Sequence, residues 1–409
     1  MISSINYVTI INIGNELLLG KTVNTNLSWM ANQLSMIGIN INKAVIIPDE
    51  TDIIHQALYN AWEKSSLIII TGGLGPTKDD ITKKAVADFF NKELIYNIDI
   101  ENQIRQRFIE RNIEMPESNK TQAYVPANFT ALTNSLGTAP GLKYEEGEKS
   151  LYCFPGVPFE MKNLFLTYLK PDIIKKYKID SFYCIDIQTY ELPESQIADE
   201  MEQINFDDIN IAWLPQTGRV NIRLYGNNEK KIENAQQVIT QKFHSNIWGI
   251  NELSPQHKLH NIITKLKITL STAESCTGGL IAKMITEIPG ASSYFEGSAV
   301  VYSNKQKENL LQIEKTIIEQ NGAVSQETLE AMLTGCQKLF NTNLVCAVTG
   351  IAGPEGGTAD KPVGTVFIGI KFNDKLISQK CFFTGTRELI RFKTAEKAIF
   401  MMIALLETK

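Results

Sequence analysis

At 409 residues the chain is too long for one ordinary hydrophobic core, and at about 150 residues per domain it divides into two or three. Hydrophobic residues make up 43% and charged residues 21%, with no low-complexity tract, which excludes a largely disordered chain. Forty Lys and Arg stand against 45 Asp and Glu, a net charge of -5 with no long single-sign run, so nucleic acid is not the expected partner.

In chain order, MISSINYVTIINIG lacks the basic start, apolar stretch and small-residue cleavage site of a secretory leader. No apolar run approaches the ~20 residues of a membrane helix, and the expected compartment is the cytosol. VTIINIG reads as a buried strand, and Leu27, Met30, Ala31, Leu34 and Ile37 then mark one face of a helix ending at Gly38. A strand follows in INKAVIIP. Ile53, Ile54, Ala57, Leu58, Ala61 and Trp62 form a second amphipathic face, and SLIIITGGLGPTKDD is a buried strand running into a glycine-rich turn before the helix DITKKAVADFF. This alternation predicts a mainly parallel sheet with helices on both faces.

Beyond the turn-rich stretch NSLGTAPGLKYEEGEKS come the strand SLYCFPGVP and the helix FEMKNLFLTYLK, and a boundary is placed near Pro171. FYCIDIQTYEL, a helix around SQIADEMEQI, two strands flanking PQTG and the helix EKKIENAQQVITQKF make a small α+β unit. It has no GXXG loop of the RNA-clamping kind, so a bridging role is expected of it. The third part opens with the helix PQHKLHNIITKLK, the strand KITLSTA, the turn ESCTGG and the helix LIAKMITEI. Strands at GSAVVYS, NLVCAVTG and VGTVFIGIKF follow, with a final helix from about Glu388 to Glu407. The expected architecture is therefore α/β over residues 1–170, α+β over 171–252 and α/β over 253–409.

Cysteines 153, 184, 276, 336, 346 and 381 show no CxxC pairing and read as free thiols. His55, His244, His257 and His260 all lie outside the glycine-rich motifs, so a Ser-His-Asp site would have to bring one in from afar.

Ser275 sits between a buried strand and a helix start, followed by Thr277, Gly278 and Gly279, where free N–H groups and the positive helix end suit an oxyanion or phosphate. Ser or Thr there equally serves as a helix cap. Lys307 falls in the first turn of a helix if Ser303 or Asn304 is the cap. There the helix dipole disfavours its protonated form and burial would push the same way, which makes it a candidate base toward Ser275, with Tyr302, at the end of the strand SAVVY, as relay or orienting group; the alternative is an exposed surface lysine. The rival nucleophile, Cys276, has no base in the motif. Gly350, Gly353, Gly356, Gly357 and Gly364 let the backbone approach a ligand. Arg387 can grip a phosphate or carboxylate, with Arg391 a less certain helper. Near the N-terminus, Gly72, Gly73 and Gly75 lie past the carboxyl end of a buried strand, where open α/β sheets bind ligands. Asp79 and Asp80 can hold a divalent cation there or simply favour the helix start.

AESCTGGLIAKMIT, PGASSYFEGSAVVYSNKQK, GAVS, VTGIAGPEGGT and KPVGTVFIGI together resemble the CinA family, whose C-terminal domain is similar to nicotinamide mononucleotide (NMN) deamidases. The resemblance implies hydrolysis of the carboxamide of NMN to nicotinate mononucleotide and ammonia, with no cofactor. Ser275, Lys307 and Tyr302 would be catalytic, and Thr277, Gly278, Gly279, Gly350, Gly353 and Arg387 would bind substrate. IGNELLLG, the pair Thr25-Asn26, KTQAYVP, GTAPG and FPGVPFEM are similar to the molybdopterin-binding fold, which in this family implies metal-dependent hydrolysis of ADP-ribose. Gly72, Gly73, Gly75, Thr77, Gly137 and Gly141 would hold the nucleotide, and Asp79 and Asp80 the divalent metal. Asn15 and Asn24 stand where relatives often carry aspartate. A homodimer is expected by the same analogy. The alternative is a nucleotide-binding regulatory protein linked to competence or DNA damage, with little turnover at the N-terminal site.

Overall fold

The computed structural model describes residues 7–177, 179, 182–202, 204, 206 and 209–407. Residues 1–6, on which the leader reading partly rests, and Gln203 of the expected helix near 195–204 lie outside them. The chain divides into two compact units, one of Met1–Cys184, Asp208–Asn210 and Tyr225–Glu233, the other of Ile185–Asp207, Ile211–Leu224 and Asn234–Lys409.

The first unit contains β1 (Val8–Ile13), β2 (Lys43–Ile47), β3 (Leu67–Thr71), β4 (Leu94–Tyr96), β5 (Tyr124–Pro126), β6 (Thr130–Leu132), β7 (Gly141–Glu146) and β8 (Lys149–Phe154). Six of these form one sheet in the order β2-β1-β3-β8-β7-β6, while β4 and β5 pair separately. β2, β1, β3 and β8 run parallel, and β7 and β6 extend the edge antiparallel. The largely apolar, fully buried runs of β1 and β3 follow from this position. Ile11, Ile13, Ile68 and Ile70 join one core, and Val8, Ile10, Leu67 and Ile69 the opposite one. A strand covered on both faces has no place for alternation.

The sequence missed the short strands β4, β5 and β6 and three further features here. The turn-rich stretch 134–150 contains β7. The helix Ile98–Glu110 also went unrecognised, although the Asn97 side chain accepts from the N–H groups of Asp99 and Ile100 and caps it. The helical run beginning at Pro158 passes through Pro171 to Tyr177, with a π-helical stretch at Phe165–Leu169. Pro171 carries no N–H and its ring crowds the carbonyl four residues back, which favours the wider turn before it.

The segment after the first sheet forms β9 (Tyr183–Thr189), β10 (Asn210–Gln216), β11 (Arg219–Gly226) and β12 (Ile247–Ile250), ordered β10-β11-β9-β12. In the second unit, Tyr190 and Trp248 pack their rings on Phe400 of the last helix, Arg387–Glu407, with centroids 3.8 and 5.6 Å apart.

The second unit's larger sheet comprises β13 (Leu270–Glu274), β14 (Phe295–Val300), β15 (Leu344–Gly350), β16 (Thr365–Phe372) and β17 (Lys375–Phe382), in the order β14-β13-β15-β16-β17. β13 is parallel to both β14 and β15, and the last two pairings are antiparallel. β17 is a further strand beyond those expected from sequence. It lies at the sheet edge and is mostly exposed, so Lys375, Gln379 and Lys380 interrupt the apolar pattern that marks the inner strands. The topology carries the carboxyl ends of β13, β14 and β15, the start of β16 and the end of β17 to one edge of the sheet. Among the described residues, no helix is long and apolar enough to cross a membrane.

Candidate functional site

At that edge, the register pairs Glu274 at the end of β13 with Val300 of β14 and Val348 of β15. Ser275 is the next residue, and its N–H donates to the Val348 carbonyl at 3.1 Å. β14 ends at Val300 rather than running to Tyr302 as the sequence suggested. Ser303 then caps the helix Asn304–Leu311, its hydroxyl accepting from the Gln306 N–H at 3.3 Å. Lys307 therefore lies in the first turn, and its side chain points back under the sheet edge.

The Lys307 Nζ lies 3.1 Å from Ser275 Oγ, 3.0 Å from the Val301 carbonyl and 3.4 Å from the Tyr302 carbonyl. The residue is 1% exposed, and burial holds its pKa below the ordinary lysine value. A neutral amine in this position donates its two protons to the two carbonyls and turns its lone pair to the Ser275 hydroxyl. Cys276, next in sequence, is buried, and burial pushes its thiol up to about 12 against the lowering influence of its own and the Thr277 N–H and of Lys307. It is a protonated thiol and thus a poor nucleophile.

The glycine-rich turn differs from the expectation of a free helix end. Gly278 and Gly279 both adopt left-handed backbone, with φ of 60° and 92°, which explains the Gly-Gly pair. However, the N–H groups at the start of the helix Leu280–Thr286 are already engaged. The buried Glu274 carboxylate accepts from Gly279 at 2.9 Å, Ile281 at 3.1 Å and Ala282 at 2.8 Å. The Gly278 N–H donates to the Ser275 carbonyl at 3.2 Å. Among the described residues, the Cys276 and Thr277 N–H groups donate to no carbonyl or carboxylate. The Thr277 hydroxyl is buried and has no partner among the described residues. Glu274 was not singled out from sequence, because a carboxylate ending an apolar strand gives no sign of where it folds back.

Arg387 donates to the Gly353 carbonyl at 2.6 Å and to the Tyr302 hydroxyl at 2.8 Å, tying the glycine-rich segment after β15 to the segment after β14. Tyr302 is 60% exposed, and its hydroxyl meets Arg387 rather than Ser275 or Lys307. Arg391, one turn on, donates to the Thr277 carbonyl at 2.6 Å. Gly350 ends β15 so close to β16 that a Cβ would stand 2.7 Å from a Val366 methyl and 3.0 Å from the Thr365 carbonyl.

In the first unit, the ends of β1, β2, β3 and β8 likewise gather at one edge. Gly72 has φ of 102°, and its N–H donates to the Phe154 carbonyl at 3.0 Å; the Gly73 carbonyl accepts from the Thr82 N–H at 3.1 Å. A Cβ on Gly75 would strike the Asp80 carboxylate, which is bound to both the N–H and the hydroxyl of Thr77. The FPGVPFEM segment joins the remaining motifs. The Gly156 carbonyl accepts from Asn26 at 2.7 Å, and Glu160 accepts from Asn134 at 2.6 Å and fills the space beside Gly137. Gly141 opens β7. A cavity of 460 Å³ includes Arg107, Asn134, Gly137 and Thr138 in its lining.

Asn24 caps the helix Thr25–Ser35 with its carbonyl oxygen, while its Nδ2 and the Asn26 Oδ1 are buried with no partner among the described residues. Asp49, not noted in the sequence, accepts from the Asn15 N–H at 3.0 Å; burial raises its pKa, and Glu16, Asp79 and Asp80 add to the rise. Among the described residues, no three His, Cys, Asp or Glu side chains come together in a metal-holding group. Exposed Asp79 and Thr77-bound Asp80, with asparagines at 15 and 24, do not make a closed cation site.

Residues 253–406 match the family model described as "CinA C-terminal domain", and residues 9–175 match that described as "Probable molybdopterin binding domain". A relative from Clostridium botulinum, whose name describes it as competence-damage inducible, is 37% identical over 395 residues, covering 95% of this chain and 96% of its own. A "CinA-like protein" of Kosmotoga olearia is 36% identical over 406 residues, covering 97% and 98%. Among solved structures, a competence/damage inducible protein of Agrobacterium tumefaciens is 38% identical and covers 37% of this chain and 94% of that one, with a TM-score of 0.36. A CinA protein of Thermoplasma acidophilum is 33% identical and covers 42% and 100%, with a TM-score of 0.39.

Proposed function

The chain belongs to the CinA family, and on that premise we propose that Ser275 and Lys307 form the working pair of an amidohydrolase acting on the carboxamide of NMN. The observation that carries this reading is the 3.1 Å contact between Ser275 Oγ and the buried Lys307 Nζ. The neutral lysine takes the serine proton as Oγ attacks the carboxamide carbon, and the tetrahedral oxygen is received by the turn after Ser275. Lys307 returns the proton to the nitrogen, the C–N bond breaks and ammonia leaves. Water then attacks the acyl-enzyme, giving its proton to Lys307, and nicotinate mononucleotide departs as Oγ regains a proton. Arg387 and Tyr302, joined at 2.8 Å on the rim, are placed to orient the ribosyl phosphate end.

Ammonia release from NMN tests the reading. Ser275→Ala abolishes it and Cys276→Ala retains it; release that survives Ser275→Ala overturns the proposal.

For the N-terminal unit, the loosely furnished carboxylates favour nucleotide binding with little turnover over metal-dependent hydrolysis of ADP-ribose. The buried, unpartnered Asn24 and Asn26 side-chain atoms support a polar ligand there. ADP-ribose then binds without releasing AMP when divalent metal is added. AMP release that disappears in Asp80→Ala establishes the hydrolytic reading instead.

A further inference from the structure

A fully buried carboxylate immediately before the serine requires a reason, since burying it unpaired is costly. Glu274 has three backbone N–H partners within 3.1 Å, all at or beyond Gly279, and none of them belongs to Ser275, Cys276 or Thr277. We propose that Glu274 is a positioning residue of the serine site. By taking the N–H groups of Gly279, Ile281 and Ala282, it folds the turn so that the Cys276 and Thr277 N–H groups, which face only the Cys276 thiol, and the Thr277 hydroxyl are left to receive the substrate's carbonyl oxygen.

Two observations independent of the carboxylate agree. The Thr277 hydroxyl is 0% exposed and unpartnered, an arrangement that costs stability unless a ligand completes it. The Arg391 guanidinium holds the Thr277 carbonyl at 2.6 Å, which fixes the peptide on the other side of the same residue. The turn is thus clamped by an anion at one end and a cation in the middle. The helix end that would attract an anionic substrate group is already occupied by the protein's own carboxylate. The acceptor this turn suits is therefore a neutral carbonyl that gains charge only as Oγ adds to it.

The inference rests on the Ser275 reading above, and the experiment separates the two. Glu274→Gln preserves shape but turns an amide N–H against one or more of the three backbone donors. Its kcat for ammonia release from NMN falls about 10²-fold, the loss typical of one oxyanion donor, while KM stays within about threefold. Thr277→Val, which removes only the hydroxyl, lowers kcat about tenfold without lowering Tm. Thr286→Ala, whose hydroxyl bonds the Ala282 carbonyl at the exposed end of the same short helix, keeps kcat. A small fluorophosphonate supplies a readout that does not depend on NMN. Ser275 Oγ displaces fluoride from phosphorus, the phosphonyl oxygen sits in the oxyanion position, and mass spectrometry follows the adduct. Both Glu274→Gln and Thr277→Val slow this labelling in proportion to their kcat. Wild-type labelling at Ser275 without ammonia release overturns the substrate but leaves Glu274 to be judged by labelling alone. Glu274→Gln with wild-type kcat and labelling rate, whatever its Tm, reduces Glu274 to a helix cap and overturns the inference.

Discussion

Replacing Lys307 by methionine removes the amine while keeping the length of the side chain, and it separates chemistry from packing. Nζ has Ser275 Oγ, Val301 O and Tyr302 O within 3.4 Å, and among the described residues no carboxylate pairs with it. Loss of the base should lower kcat/KM for ammonia release by about 10³- to 10⁴-fold, which at 1.36 kcal/mol per decade is ~4–5.5 kcal/mol of transition-state stabilisation. Stability should respond in the opposite sense at low pH. Burial lowers the folded pKa of Lys307 below the unfolded value of 10.5. Below the folded pKa, the folded protein carries the full penalty of a buried ammonium. Between the two values the unfolded chain binds more protons, so wild-type stability rises with pH. The methionine variant lacks this penalty, so its Tm relative to wild type should be highest below the folded lysine pKa and decline as pH rises toward the unfolded value. The wild-type kcat/KM should rise with pH through the folded lysine pKa as the amine becomes neutral. A Lys307→Met enzyme that retains more than a tenth of wild-type kcat/KM refutes the assignment of the base. A Tm difference that does not change with pH refutes the lowered pKa.

Tyr302→Phe removes the hydroxyl held by Arg387 on the exposed rim; KM for NMN should rise several-fold with kcat within about threefold, whereas a kcat loss near 10²-fold at unchanged KM would make Tyr302 a proton relay. Arg391→Met releases the Thr277 carbonyl and should lower kcat about tenfold with little change in the far-ultraviolet circular dichroism; unchanged kinetics would show that the turn holds itself. Gly72→Ala places a Cβ 2.0 Å from the Ile13 carbonyl at a φ of 102°, and denaturant unfolding should register a loss of more than about 2 kcal/mol; wild-type stability would show that the turn can open.

Much of the architecture was legible in the sequence because parallel strands buried on both faces leave uninterrupted apolar runs. LIIIT of β3 and LVCAVTG of β15 declare themselves in this way. Lys307 was readable for a different reason: Ser303 as cap sets the helix phase locally, and four residues later the lysine is in the first turn. Edge strand β17 was hidden, since one exposed face and scattered charge give no period. The destination of side chains that cross between elements was hidden as well. Glu274 ends an apolar strand and could face in any direction until the helix beyond Gly279 is packed. Only then do three N–H groups converge on it, and the helix terminus that the sequence left open for an anion is filled. Arg387 and Arg391 were visible as cations at a helix start. The parallel register of β13, β14 and β15 decides that the Tyr302 hydroxyl, the Gly353 carbonyl and the Thr277 carbonyl lie within their reach. The sequence by itself determined the buried inner strands, the Ser303 cap and the presence of a serine, a lysine and flexible glycines, because these depend on neighbours a few residues away. The tertiary structure decided which donors remain free around Ser275, because each depends on a partner that the sheet alone brings into contact.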